Sequence, residues 1–275
     1  MLDTEPKVSV IIPHYNMHST LHNMHSTLPE AVKSVADQAY KNIELIVVDD
    51  GSHAGIRSSC FSAFEPKLKV LKIDQNKGKP SAVNRGFEAA TGDYFTILDA
   101  DDQLPRYSIS KRISALQSDQ VDLCIGSFEI CYQQAVQSVR SIAQYAGRSR
   151  QYLKRHLLTA VISPFHQNAM LFSKTLLQRT GPMDPKMIRG QDKDFAIRLI
   201  QNSSGIAYVD EPVYRYNRYD RPLKKRIRTR LIGMRYKLEI VGRYAASWRK
   251  GGYLLWGTVV EAAKLVHDLF GSYKK

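Results

Sequence analysis

The stretch IELIVVDDGS, residues 43–52, decides the fold. It begins as an apolar, β-branched run and ends in two acids and a glycine, which is typical of a buried strand followed by a turn. Comparable runs and helical patterns alternate along the first half of the chain. The strand-like runs lie at 8–12, 68–73 and 94–98, and the helical patterns lie at about 29–39, 54–63 and 80–91. This alternation predicts an α/β fold in which a mainly parallel sheet is flanked by helices.

Acidic residues follow two of the predicted strands. Asp49 and Asp50 come after the quoted run, and Asp99, Asp101 and Asp102 come after the last one. Ligands bind to open α/β sheets beyond the carboxyl ends of the strands. We therefore expect both acidic groups to lie at one edge of the sheet.

The segment Leu98-Asp99-Ala100-Asp101-Asp102 predicts a metal site. Three carboxylates in four residues repel one another, and without a cation the pKa of at least one would rise. Mg²⁺ or Mn²⁺ would relieve this repulsion and bridge to phosphate oxygens. A solvated turn that caps the next helix is the alternative interpretation, because Asp is a good helix cap.

Basic residues surround the predicted start of the helix at 80–91. Lys77, Lys79 and Arg85 occur there, and a helix start with cationic side chains favours phosphate binding. P-loop and dinucleotide-binding fingerprints are both absent from the sequence. An exposed basic loop explains the same residues equally well.

The segment Gly190-Gln191-Asp192-Lys193-Asp194 predicts another helix start. A carboxylate in the first turn is stabilised by the helix dipole and stays ionised. Asp192 or Asp194 could then take the proton of an attacking hydroxyl group. A capping role is the alternative on local grounds.

Together these segments resemble the family 2 glycosyltransferases over about residues 7–210. The segments that carry the resemblance are VSVIIPHYN at 8–16, VVDDGS at 47–52, NRG at 84–86, LDADD at 98–102 and, less closely, GQD at 190–192. The resemblance implies a GT-A fold, a nucleoside diphosphate sugar donor (most often UDP) and a divalent metal. It also implies inversion at the anomeric carbon by a single displacement.

The resemblance also implies roles for individual residues. Those near the nucleotide-sugar would be Pro13, Tyr15, Asp49, Asp50, Lys79, Arg85 and Asp99, with the first four at the nucleobase, Lys79 and Arg85 near the phosphates, and Asp99 near ribose or metal. The metal would be held by Asp101 and Asp102 with Asp99. Asp192 would be the catalytic base.

The sequence departs from the family pattern at three places. Gln191 stands where the family usually has Glu, which affects the acceptor site. The Gln-x-x-Arg-Trp pattern of processive synthases is missing, which favours single sugar addition. Residues 16–22 are duplicated at 23–29, which lengthens the loop after the first strand. The duplication spaces His18 and His25 at helical intervals without any need for a zinc site.

The resemblance divides the chain into three parts. Residues 1–214 would form the catalytic domain, with a nucleotide-sugar-binding half at about 1–120 and an acceptor half at about 121–214. After Asp210 the chain turns basic and is predicted to be helical, and we assign residues 215–275 to a basic helical extension.

Positive charge is concentrated in one segment. The formal charge is +14, and Arg215–Lys250 holds thirteen Lys or Arg residues against two acids. This block precedes an apolar stripe from Leu254 to Leu269. The pattern predicts either docking on an anionic membrane surface or a helix packed on the catalytic domain. Nucleic-acid binding is not expected, because no recognised motif accompanies the charge.

The composition is that of an ordinary globular protein. Of 275 residues, 43% are hydrophobic and 24% are charged, with no secretory start and no apolar stretch near the ~20 residues that cross a bilayer. Cys60, Cys124 and Cys131 lack metal-ligand or disulfide spacing. We predict a cytoplasmic protein, with peripheral docking on the inner face of the cytoplasmic membrane as the alternative.

The function predicted is metal-dependent sugar transfer from a nucleotide-sugar to an unknown acceptor, in the synthesis of a cell-surface polysaccharide or glycolipid. Two alternatives stay open. A nucleotidyltransferase would share the sheet and the acids, although Pro13-His14-Tyr15-Asn16 replaces the Gly-rich segment usual in that class. A non-catalytic relative that binds membranes or polyanions is the other alternative.

Overall fold

The computed structural model describes residues 5–16, 27–56, 61, 68–159, 163, 165–219, 223–245, 252 and 259. Its strands are β1 Val8–His14, β2 Ile43–Asp49, β3 Leu68–Lys72, β4 Tyr94–Ile97, β5 Leu123–Tyr132, β6 Ala135–Arg140, β7 Met170–Ser173 and β8 Ile206–Arg218. Its α-helices are α1 Leu28–Ala36, α2 Lys79–Ala89, α3 Ser108–Asp119, α4 Arg150–Thr159, α5 Lys174–Thr180, α6 Gln191–Asn202 and α7 Leu223–Tyr244. Short 3-10 helices lie at Ala143–Tyr145 and Gln167–Ala169.

The strands form one sheet in the order β3-β2-β1-β4-β7-β5-β6, with β8 paired to β5. The pairs from β3 to β4 are parallel, and so is β5 with β8. Strand β7 lies antiparallel to β4 and β5, and β6 lies antiparallel to β5. Since parallel strands end at the same edge, the turns after β1, β2 and β4 meet there. The predicted α/β fold with a mainly parallel sheet is confirmed.

Helices cover both faces of the sheet. Val10 and Ile12 of β1 pack on one side with α1 and α3, and Ile11 packs on the other side with α2, α4, α5, α6 and α7. All three side chains are fully buried. This burial on both faces explains why the strands appear in the sequence as continuous apolar runs rather than alternating ones.

Strand β1 continues through Pro13 to His14, two residues past the predicted end at Ile12. Proline has no N–H to donate, so within a sheet it is tolerated only where no ladder partner is needed. Pairing of β4 with β1 ends at Ile11, and the His14 carbonyl on the other side accepts from the Asp50 N–H. The Pro13 nitrogen therefore faces the side where the ladder has already ended.

The prediction that the chain becomes helical after Asp210 is wrong for residues 211–218. These residues continue β8, which pairs with β5 as far as Arg218, and helix α7 begins only at Leu223. Val213 and Tyr214 are fully buried there, so packing overrides the basic composition. Strand β8 crosses the boundary drawn at residue 214, and the division into domains stays a prediction.

The helix expected at 54–63 is not found at residues 54–56, where Ala54 forms a bend and Gly55 and Ile56 have no regular structure. Most of the rest of that prediction, residues 57–60 and 62–67, lies outside the described residues. Residues 17–26 of the duplicated segment and nearly all of the apolar stripe after residue 253 also lie outside the described residues.

Two smaller findings concern the described part of the chain. None of its helices combines the length and hydropathy that crossing a bilayer requires. Cys124 and Cys131 are buried free thiols there, whereas Cys60 is not among the described residues.

Candidate active site

The turn after β2 is joined to the loop before α2 by Asp50. This carboxylate is buried and accepts hydrogen bonds from the backbone N–H groups of Lys77 (2.9 Å) and Gly78 (2.7 Å). Gly51 has a φ of +78°, and a Cβ there would lie 2.7 Å from the Asn76 nitrogen. Only glycine fits both the conformation and this close approach. The turn and the loop therefore form one unit.

The same turn contacts the end of β1. Asp49 accepts from the Ser52 N–H at 2.9 Å, and the Ser52 hydroxyl accepts from the Asn16 N–H at 2.9 Å. Tyr15, just before Asn16, is 41% exposed, and Pro13 is half-buried. These residues lie at the edge where the nucleobase was expected, and their contacts with it stay a prediction.

Lys79, the first residue of α2, joins two carboxylates from distant parts of the chain. Its Nζ lies 2.8 Å from Asp99 Oδ1 and 3.1 Å from Asp192 Oδ1. Burial disfavours the ammonium, but the two carboxylates outweigh it and raise the pKa of Lys79 above its usual range. Burial likewise opposes ionisation of Asp99, yet Lys79 holds the pKa of Asp99 below its usual value. The Lys79 ammonium thus holds the loop after β4 and the start of α6 together.

Asp99, Asp101 and Asp102 form a compact group after β4. One carboxylate oxygen from each lies within 4.8 Å of the others. Burial of Asp102, together with the charges of Asp101 and Asp99, raises the pKa of Asp102 well above its usual range. The donor set consists of hard oxygens, and the repulsion among them is the kind that a divalent cation relieves. These residues therefore fit Mg²⁺ or Mn²⁺.

The end of β8 holds this acidic group in place. The Tyr214 hydroxyl donates to Asp102 Oδ2, and the Asn217 N–H donates to Asp102 Oδ1 at 2.7 Å. The Asn217 side chain donates to the Asp101 carbonyl at 2.8 Å, and Asn168 Nδ2 donates to the Tyr214 hydroxyl at 2.9 Å. These supports were not predicted from the sequence, because residues 211–218 were expected to be helical. The alternation of aromatic and polar residues from Tyr214 to Asn217 was the available signal.

His166 is a further residue of the site that local patterns did not indicate. Its ring stacks on Tyr214 and Tyr216, with centroids 4.9 and 5.3 Å away. Its Nδ1 accepts from the Asn168 N–H at 3.3 Å, so the ring proton belongs on Nε2. Burial lowers the pKa of His166, although Asp99 and Asp192 oppose the effect. A neutral imidazole therefore lies beside the acidic group.

The start of α6 separates the two carboxylates that sequence could not distinguish. The Asp192 side chain is 42% exposed. Asp194 is buried and accepts from Arg198 Nε at 3.0 Å and from the Tyr244 hydroxyl at 2.6 Å. Only Asp192 is accessible to an incoming hydroxyl group, and the saturated Asp194 has a structural role.

Arg85 does not join these side chains. It is exposed on the outer side of α2, and its ion-pair partner is Glu88, 3.3 Å away on the same helix. The proposed approach of Arg85 to the phosphates stays a prediction. By contrast, contacts link Asp50 through the loop at Lys77 and Gly78 to Lys79, and from there to Asp99 and Asp192.

The chain is similar to several known glycosyltransferases. The chain is 39% identical over 123 residues to dolichol-phosphate mannosyltransferase of Pyrococcus furiosus, a match that covers 44% of this chain and 33% of that protein. The fold resembles S. aureus TarS 1–349 in complex with UDP-GlcNAc, with a TM-score of 0.65 and 16% identity over 96% of this chain and 73% of that one. It also resembles mannosyltransferase PcManGT from Pyrobaculum calidifontis in complex with GDP-Man and Mn²⁺, with a TM-score of 0.58 and 19% identity over 96% and 76%.

The sequence match to the Pyrococcus furiosus protein covers about a third of that relative's length. The two structural likenesses are below 20% identity, so they support the fold alone. The model of glycosyl transferase family 2 matches residues 9–181, which include the turn after β2 and the acidic group. This chain therefore belongs to glycosyl transferase family 2.

Proposed function

We propose that this chain transfers a sugar from a nucleoside diphosphate sugar, UDP-linked, to an acceptor hydroxyl group with inversion at the anomeric carbon. The observation that carries the proposal is the Lys79 ammonium, which contacts both Asp99 beside the acidic group and Asp192 at the start of α6. The proposed donor site at Asp99 and the accessible carboxylate of Asp192 therefore both lie within contact distance of Lys79. That is the geometry a direct displacement needs.

In this proposal Asp192 is the general base. Its partly exposed carboxylate stands in the first turn of α6. It would take the proton of the acceptor hydroxyl as that oxygen attacks the anomeric carbon. The bond between that carbon and the diphosphate oxygen breaks in the same step, and the diphosphate leaves with the bonding electrons.

Asp99, Asp101 and Asp102 are proposed to hold Mg²⁺ or Mn²⁺. Such a cation, when bound, neutralises charge on the leaving diphosphate. Tyr214 and Asn217 keep Asp102 oriented, and Lys79 places a second positive charge beside the site. The neighbour that contains GDP-Man and Mn²⁺ supports this assignment.

Asp49, Asp50, Pro13 and Tyr15 are proposed to form the nucleobase side of the donor site. Both carboxylates are buried and bonded to backbone N–H groups. A carboxylate oxygen has two lone pairs, so Asp50 can accept a further bond from a base N–H group. The uracil base is proposed from the family resemblance. TarS was solved with UDP-GlcNAc and PcManGT with GDP-Man, so the donor test includes both nucleotides.

The test is incubation of the full chain with UDP-GlcNAc, other UDP-sugars and GDP-mannose, with Mn²⁺ and with EDTA. We expect Mn²⁺-dependent release of the nucleoside diphosphate and stabilisation in a thermal-shift assay with the same donor. Pyrophosphate release from a nucleoside triphosphate and a sugar phosphate would instead identify a nucleotidyltransferase. No binding of any donor would favour the non-catalytic alternative.

The acceptor is proposed to be a saccharide or lipid-linked saccharide at an anionic membrane surface. The name of the Pyrococcus furiosus relative includes a lipid phosphate, and each Lys or Arg near such a surface contributes about 1 kcal/mol. The apolar stripe at 254–269 would insert beside the basic block, so removal of residues 251–275 should weaken binding to liposomes that contain phosphatidylglycerol. Unchanged binding would favour a helix packed on the domain.

A further inference from the structure

The last two residues of α7 reach the first turn of α6. The Tyr244 hydroxyl donates to Asp194 Oδ1 at 2.6 Å. Arg243 Nη1 lies 2.9 Å from Asp184 Oδ2 and 3.5 Å from Asp194 Oδ1. On the other oxygen of Asp194, Arg198 Nε donates at 3.0 Å. One buried carboxylate is therefore held from α6 itself and from the C-terminal end of α7.

Apolar packing reinforces the same contact. Ile240 and Val241 of α7 are 2% and 1% exposed. A Cβ on Gly190, the residue before α6, would lie 2.6 Å from Ile240 Cδ1, and the φ of Gly190 is +75°. The left-handed conformation favours glycine there, and the absence of a side chain leaves room for the end of Ile240. The start of α6 is thus shaped to receive the end of α7.

We propose that Arg243 and Tyr244 are positioning residues for Asp192. This proposal rests on the proposed role of Asp192 as the base. Asp192 and Asp194 are two positions apart, or about 200° around a helix, so they face opposite sides of α6. Asp194 is fixed against α7, and Asp192 consequently points toward Lys79.

The contacts of Arg243 and Tyr244 with Asp194, here called the clamp, are needed because Asp192 lies at a helix end. The first four N–H groups of a helix lack partners within it, and the first turn frays unless it is held. A displacement of about 1 Å in a reacting group costs roughly a hundredfold in rate. The segment after residue 215, predicted as a separate extension, therefore contributes to the site through α7.

Hydrogen exchange tests the clamp without any substrate. Tyr244→Phe should raise the exchange rate of amides 194–197 roughly fivefold, since they are the first amides of α6 with helical hydrogen-bond partners and one hydrogen bond contributes about 1 kcal/mol. Tyr236→Phe is the matched control, because Tyr236 also lies on α7 and packs partly buried against the same core cluster. Within the described residues the Tyr236 side chain has no hydrogen bond that the substitution would remove. Equal exchange in the two variants would overturn the proposal.

Kinetics then separates positioning from general stability. With UDP-GlcNAc or GDP-mannose and Mn²⁺, Tyr244→Phe and Arg243→Met should lower kcat for nucleotide release about tenfold, with KM for the donor unchanged. Arg243→Lys should restore part of the loss, because it keeps a charge for Asp184. A rise in KM with unchanged kcat would contradict the proposal.

A different result would contradict the proposed role of Asp192 as the base. Full turnover by Asp192→Asn would remove Asp192 as the base, whatever the exchange data show. Loss of turnover in Asp192→Asn, with normal kcat in Tyr244→Phe and Arg243→Met, would leave the base in place and overturn only the clamp.

Discussion

The sheet buries one carboxylate at the amino ends of its strands, here the amino edge, and another at their carboxyl ends, here the carboxyl edge. The surroundings of the two carboxylates differ. At the amino edge, Glu44 of β2 is 7% exposed. It accepts from the Ser9 hydroxyl and the Thr91 N–H at 2.5 Å and from the Gly92 N–H at 2.9 Å, with Lys69 Nζ 3.3 Å away. Although burial opposes ionisation, these donors hold the pKa of Glu44 below its ordinary value of 4.5.

At the carboxyl edge, Asp102 is 1% exposed and has two hydrogen-bond donors, Tyr214 and Asn217. Burial and the like charges of Asp101 and Asp99 nevertheless raise its pKa. A fully satisfied carboxylate stabilises the fold, whereas a crowded one destabilises it until a cation arrives. We therefore interpret the amino edge as built for stability and propose that the carboxyl edge is built for binding.

The largest expected effect is that of Asp192→Asn at the carboxyl edge. Without a general base, we expect kcat for sugar transfer to fall about 10²- to 10⁴-fold, with donor affinity unchanged. The measurements are steady-state nucleotide release and donor titration by calorimetry. Asp194→Asn is no suitable control because Asp194 is buried, so Asp119→Asn on α3 serves instead. Undiminished turnover in Asp192→Asn would place the base elsewhere.

An intermediate effect is expected for Asp101→Ala, which should abolish stabilisation by Mn²⁺ at the carboxyl edge. Mn²⁺ stabilises the native state by binding it, by about 2.7 kcal/mol at a hundred times the Kd. The resulting rise in Tm should be absent from Asp101→Ala and present in Glu44→Gln. Equal shifts in both variants, or equal donor affinity with and without EDTA in the wild type, would contradict the metal site.

The smallest effect is expected for Glu44→Gln at the amino edge. Loss of a charged acceptor from a buried set of donors should lower the free energy of unfolding by about 2 kcal/mol at pH 7, with kcat unchanged. The pKa is lower in the folded chain, so this stabilisation exists above pH 4.5 and is lost as the pH falls through the folded value. Urea titrations of both proteins at pH 7 and pH 4 should therefore show a smaller difference at pH 4. A constant difference would mean that the charge contributes nothing.

Much of the carboxyl edge could be predicted from sequence because its signals are local. Apolar runs that end in acids located β2 and β4, and the helix starts at Lys79 and Gln191 follow from turn and capping residues. Parallel strands end together, so the acids after β2 and those after β4 were expected at one edge of the sheet. The family resemblance was likewise carried by short segments.

What the sequence by itself determined was therefore the α/β sheet, the acidic group after β4 and the helix start that carries Asp192. Only the tertiary structure decided that residues 211–218 form a strand, that Tyr214 and Asn217 support Asp102, and that Asp194 is used to anchor α6. The physical reason is sequence separation. Tyr214 reaches Asp102 across 112 positions and Tyr244 reaches Asp194 across 50, and no local pattern records a partner that folding alone brings near.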